Sequence, residues 1–255
     1  MNCKRYITLI AISSSLFSLF HAAQAFSTSP STSNPSVEPQ KIELLFNRDY
    51  GAAPDTARNN KNVTEYYQQN KLCSQPSVIE FFSYGCGGCY GADKNFQDWA
   101  KTKPSDVQFK RIPVNFHPGW DNLAKLYYTN EQFKINEDLH TKIFEWYQSE
   151  VQRTRSPVVS ANQIENFISN ELKNNPTLAK KVTLDKYMNV FNSTGLDAKV
   201  NNGMRIFASY GLTSTPSVAV NNQYTITVNQ AGSLDKMMFT ITELAKGKTI
   251  CSLSA

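Results

Sequence analysis

The stretch Val78 to Tyr90, VIEFFSYGCGGCY, limits the folds open to this chain more than any other. An apolar run of β-branched and aromatic residues (Val78, Ile79, Phe81, Phe82) stops at Ser83-Tyr84-Gly85, the pattern of a buried strand ending in a small-residue turn. Cys86-Gly87-Gly88-Cys89 follows, and Phe96 and Trp99 then recur at helical spacing. The two cysteines are therefore predicted where a strand ends and a helix begins. Unpaired backbone N–H groups and the positive end of the helix dipole favour an anion there, and for Cys86 that anion is a thiolate. A thiol with a pKa of about 8.5 falls to roughly 3.5–7.5 in such a setting. Cys89, one turn on, can close a disulfide with Cys86 and resolve a mixed disulfide made by it. A half-formed metal knuckle or a structural bridge is the alternative. Zinc sites usually need a second Cys/His pair at short spacing, and none follows, so no metal and no cofactor beyond the Cys86–Cys89 couple is expected.

The first 25 of the 255 residues read as a secretory signal: Lys4 and Arg5, an apolar run through Phe20, then Ala23-Gln24-Ala25, with cleavage near Ala25-Phe26. Cys3 leaves with it, so Cys73, Cys86, Cys89 and Cys251 remain in a compartment where disulfides persist. Losing Lys4 and Arg5 takes the formal charge from +5 to +3 (24 basic against 21 acidic), too mild to argue for nucleic acid. Residues 26–39, FSTSPSTSNPSVEP, cannot bury a core and form a tether.

Residues 40–74 read as an N-terminal extension with a first strand over Gln40–Asn47 and a polar, irregular remainder. That remainder is either a surface wrap or an arm pairing with a second copy to give a homodimer. Residues 75–116 hold the cysteine motif and a second strand over Val107–Phe116, with Pro113 awkward inside it. Residues 117–203 show helical spacing broken at Pro157, Pro176 and Gly195. Residues 204–250 hold the end of a helix over Asp197–Tyr210, then a hairpin turning at Asn221-Asn222 and a helix capped by Ser233.

With these elements in place, the chain resembles the thioredoxin superfamily and, within it, the DsbA-type periplasmic thiol oxidases. The resemblance rests on Glu80–Tyr90 (EFFS-x-x-C-x-x-C-Y), on Val114–Phe116 (VNF) and on Thr215-Pro216 at the start of the hairpin, and spans roughly Gln75 to Gly247. It implies an α/β thioredoxin fold, β-α-β then β-β-α, with an inserted helical domain. Cys86 would be the nucleophile and Cys89 the resolving thiol. Pro216 would be a cis-proline beside them, with the Thr215 backbone holding a bound peptide; a trans turn proline is the default from sequence alone. Glu80 would be a buried carboxylate passing protons to or from Cys89, with Arg111 as its basic partner; an exposed edge residue is the alternative reading of Glu80. The implied partners are exported proteins with thiols or disulfides, and a membrane redox protein of the DsbB or DsbD type.

The chain departs from the family between the cysteines. Strongly oxidising members carry Pro-His there, whereas Gly87-Gly88 offers only backbone N–H groups and adds backbone entropy to the helix start. A milder oxidant is expected. Thr215 is shared with the isomerase branch, so oxidase and isomerase both stand. A non-catalytic peptide-binding module would use the same groove without needing paired cysteines, and a zinc-binding exported domain would need Cys73 or Cys251 beside the motif. From topology, Cys73 precedes the central strand and Cys251 follows a helix running back to the same end. A Cys73–Cys251 bridge is predicted, with roughly 4–5 kcal/mol of loop-closure stabilisation; two free thiols are the alternative.

Overall fold

The computed structural model of the chain describes residues 43–251. The predicted signal, the tether and residues 40–42 of the predicted first strand lie outside them. Five strands form one mixed sheet: β1 (Gly51–Ala52), β2 (Ser77–Phe82), β3 (Gln108–Pro113), β4 (Ser217–Val220) and β5 (Tyr224–Thr227), in the order β1-β5-β4-β2-β3. β2 and β3 are parallel and every other pair is antiparallel. β-α-β followed by β-β-α is the thioredoxin arrangement that the sequence implied.

β2 is buried along its whole length because both faces are covered. Ile79 and Phe81 meet Tyr67, Ile112 and Phe207 on one side. Val78 faces Phe96, Val218 and Ile241 on the other. The hairpin β4–β5 turns at Asn221 and Asn222, whose φ of 54° and 56° suit a tight turn with the sheet's own twist.

The helices, in chain order, begin with α1 (Asp55–Arg58), α2 (Lys61–Gln69) and α3 (Gly87–Thr102). The region between β3 and β4 holds α4 (Asp121–Gln132), α5 (Asn136–Thr154), α6 (Ala161–Asn174), α7 (Pro176–Lys181), α8 (Leu184–Phe191) and α9 (Thr194–Ser209). The chain closes with α10 (Val228–Ala231) and α11 (Leu234–Leu244). The inserted helices share a core of Leu123, Leu139, Ile143, Ile164 and Tyr187 that continues into Phe82, Tyr84 and Cys89. The insertion therefore packs directly behind the cysteine motif.

Three expectations need correction. Residues 43–47 carry no strand beyond an isolated bridge between Phe46 and Tyr50. Asp49 takes the Leu45 N–H at 2.9 Å and Asn47 sits at φ 63°, which turns the chain instead of extending it. The sheet edge is Gly51–Ala52. Residues 48–72 are not irregular: Asn60 caps α2, and Val63 and Tyr67, one turn apart, are fully buried. The division between 203 and 204 falls inside α9, which runs unbroken to Ser209 and lays Ile206 and Phe207 on the sheet.

Candidate active site

Cys86 is the N-cap of α3, in extended conformation at the point where β2 has just ended. Its Sγ accepts the Cys89 N–H at 3.1 Å and lies 3.4 Å from the Thr215 carbonyl oxygen. Cys86 is half-buried, Cys89 is 1% exposed, and both are free thiols. The two sulfurs have opposite tendencies. The contact with Cys89 first, then those with Thr215 and with the Cys89 and Gly88 N–H groups, outweigh partial burial and lower the Cys86 pKa to about 6. Burial, and then the neighbouring Cys86, push Cys89 well above its ordinary value.

The Thr215–Pro216 peptide is cis. Pro216 comes close enough to Gly88 that a Cβ there would stand 3.6 Å from its ring and 3.8 Å from Cys86 Sγ. Beside this contact runs a mainly apolar cavity of about 440 Å³, lined by Gly88, Gly91, Ser214, Pro216, Val228 and Leu234. The sulfur pair and the proline loop are contributed from opposite halves of the chain and meet here.

Beneath them Glu80 is 3% exposed and accepts a 2.7 Å hydrogen bond from Arg111 Nε, so the exposed-edge alternative does not hold. Burial raises its pKa to about 6; Arg111 opposes the shift, and the charges of Asp93 and Cys86 add to it.

Sequence reasoning missed a second layer. Asp93, one turn after Cys89, accepts hydrogen bonds from Gln97 at 2.7 Å and Thr141 at 2.9 Å, with His140 Nε2 3.3 Å away. His140 Nδ1 lies 2.8 Å from the Tyr84 hydroxyl, so α5 clamps both sides of the cysteine turn. Burial holds His140 below its usual range. Burial opposes ionisation of Asp93 as well, but its contacts with His140 and Thr141 outweigh that and keep it low. Trp120 was missed too. Its indole covers Gly85 so closely that a Cβ there would sit 2.1 Å from Nε1. Only the small residue before Cys86 hinted at this.

At the other end of β2, Cys73 and Cys251 form a disulfide with Cα atoms 5.3 Å apart.

No family model matches the chain. Curated relatives do. It is 25% identical over 168 residues to the thiol:disulfide interchange protein DsbA of Pseudomonas aeruginosa, covering 65% of this chain and 74% of that one. It is 28% identical over 156 residues to the DsbA of Bordetella pertussis, covering 61% and 68%. Among solved structures, P. aeruginosa DsbA superposes with a TM-score of 0.63 at 19% identity, over 80% of this chain and 93% of that one. The chain is a DsbA-like thiol:disulfide oxidoreductase. A further DsbA-like fold, from Proteus mirabilis and carrying a non-covalently bound peptide, PWATCDS, matches at a TM-score of 0.59 and 14% identity, over 81% and 100% of the two chains.

Proposed function

We propose that this DsbA-like protein donates disulfides to exported proteins in the periplasm, through Cys86 and Cys89. One observation carries the reading: Cys86 Sγ sits at the start of α3, 3.1 Å from the Cys89 N–H, and its pKa is lowered to about 6. A disulfide that contains so acidic a thiol is readily transferred, because that sulfur leaves easily. In the oxidised form a substrate thiolate attacks Cys86 Sγ. The Cys86–Cys89 bond breaks, a mixed disulfide forms, and Cys89, whose own pKa is raised, takes up a proton. A second substrate thiolate then attacks the substrate sulfur held on Cys86. The substrate disulfide closes and the Cys86 thiolate departs, so two electrons pass from substrate to the cysteine pair. A membrane redox partner of the DsbB type would reoxidise it.

Supporting roles follow from position. Glu80, with its pKa near 6, supplies and reclaims the Cys89 proton, and Arg111 orients it. The Thr215 backbone and Pro216 hold the substrate strand beside Cys86, over the apolar cavity next to Gly88. Gly87 and Gly88 give Cys86 no charged neighbour, which also favours a milder, isomerase-like protein served by a DsbD-type reductant. In a homodimer formed through the N-terminal extension, Leu45 and Phe46, 41% and 52% exposed, are the large apolar side chains that its described residues leave open; Val63, Tyr67 and Leu72 are spent on the protein's own core.

Equilibration with glutathione, and oxidation of reduced ribonuclease, test the reading. The expected potential lies between the roughly −270 mV of thioredoxin and the roughly −120 mV of a strongly oxidising DsbA, with disulfides passed on to the ribonuclease. A potential near that of thioredoxin, with scrambled ribonuclease repaired faster than reduced ribonuclease is oxidised, overturns the donor role in favour of the isomerase.

A further inference from the structure

The contact between Cys86 Sγ and the Cys89 N–H lies within residues 84–93, a segment whose own backbone does little to fix it. A Cβ on Gly87 would meet nothing within 4 Å, and one on Gly88 only ordinary contacts. Two glycines at a helix start leave the backbone free to drift, so the cap geometry depends on what holds its flanks. α5 holds both. Phe144 packs on Tyr84 before the cysteines and on Tyr90 after them, with ring centroids 5.0 Å and 5.6 Å apart. The neighbouring turn of α5 adds Thr141, which donates to Asp93 Oδ2 at 2.9 Å, and His140, which reaches both flanks at once.

His140 is 5% exposed, and burial keeps its ring neutral. A neutral imidazole has one donor nitrogen and one acceptor nitrogen. An ionised Asp93 can only accept, so the proton belongs on Nε2, 3.3 Å from Asp93 Oδ1, and Nδ1 accepts the Tyr84 hydroxyl at 2.8 Å. Asp93 Oδ1 has no exposed surface, and among the described residues no other group donates to it. One ring therefore joins the turn before Cys86 to the second turn of α3. We propose that His140 is a positioning residue for disulfide exchange, bridging Tyr84 and Asp93 across Gly87-Gly88 so that Cys86 Sγ stays on the Cys89 N–H. The inference rests on the Cys86–Cys89 couple of the proposed function, and adds a means by which the helical insertion sets how strongly that couple oxidises. With the bridge cut, the Cys86 thiolate loses N–H contact, the reduced form loses stabilisation, and the disulfide becomes a weaker oxidant.

Equilibration of the full chain with glutathione, and thiolate absorbance of its reduced form, test this. His140→Leu should raise the Cys86 midpoint by about one unit and shift the glutathione equilibrium about tenfold toward the Cys86–Cys89 disulfide. His140→Gln, whose amide can still donate to Asp93 and accept from Tyr84, should recover most of that shift. Tyr84→Phe removes the hydroxyl and keeps the ring packing. It should move the equilibrium the same way by about threefold, and it carries the test should leucine at position 140 unfold the chain. A purely structural His140 would weaken the oxidised and reduced proteins alike and leave the equilibrium where it was. An equilibrium that stays fixed or moves toward the thiols, in Tyr84→Phe and in folded His140→Leu, overturns the proposal. So does a His140→Gln that shifts as far as the leucine variant. A parent protein whose Cys86–Cys89 pair never equilibrates with glutathione sinks the exchange reading as well, which tells the two failures apart.

Discussion

The two cysteine pairs stand at opposite ends of β2 and put the same functional group to opposite uses. Cys73 and Cys251 are 178 residues apart and pack against the cluster around Tyr67, Phe81 and Ile206. Their bond ties the start of the central strand to the end of the chain. Cys86 and Cys89 are three residues apart, and their surroundings treat them unequally: one sulfur meets N–H groups at a helix start, the other is sealed in the core. Two sulfurs in matching surroundings make a durable crosslink. A pair whose thiols ionise far apart makes a bond that can be handed on.

The contrast can be broken experimentally. Cys86→Ser should reduce disulfide exchange to background, because among the described residues no other accessible thiol sits at a helix start; a ribonuclease oxidation assay that still ran would place the chemistry elsewhere. Replacing Cys73 and Cys251 by Ser should leave exchange by the folded protein unchanged and cost about 2–5 kcal/mol of unfolding free energy, read from urea melts. Loss of exchange in a variant still folded would deny the division of labour.

Glu80 sharpens the comparison from below. Its folded pKa of about 6 lies above the ordinary 4.5, so the folded state binds the proton more tightly. The contribution of Glu80 to stability should therefore be full below about pH 4.5 and fall by roughly 2 kcal/mol as pH rises to about 6, at about 1.36 kcal/mol per unit, read as the difference between the parent protein and Glu80→Gln. Glu80→Gln should flatten that slope; an unchanged slope would mean that another group carries it. The smallest expected effect is at Gly88, where a side chain meets only ordinary contacts. Gly88→His should lower the Cys86 midpoint, followed by thiolate absorbance, by up to about one unit through charge at the thiolate. A midpoint that rises or stays fixed would show that the backbone already supplies all the stabilisation available.

What could be read from the sequence was local or strongly patterned. The cysteine motif, the apolar strand before it and the Asn221-Asn222 turn each carry their geometry in a few adjacent residues. α2 escaped because its buried face is only Val63 and Tyr67 in a polar stretch. QKIELLFN looked like a strand because pattern alone could not show that Asp49 would capture the Leu45 N–H. The Tyr84–His140–Asp93 clamp joins residues up to 56 positions apart, and no spacing rule connects polar residues across two helices and a loop.

The sheet's margins carry a last consequence. A disulfide donor of the kind proposed would meet unfolded chains and risk becoming a template for them, since any open strand invites β-addition and co-aggregation. Here one margin, β1, is two residues long and followed closely by Pro54, and the other, β3, ends in Pro113 and lies against α4 and α9. A sticky chain finds little ladder to extend on either side. Adhesion is thereby steered toward the one place where contact is brief and ends in chemistry.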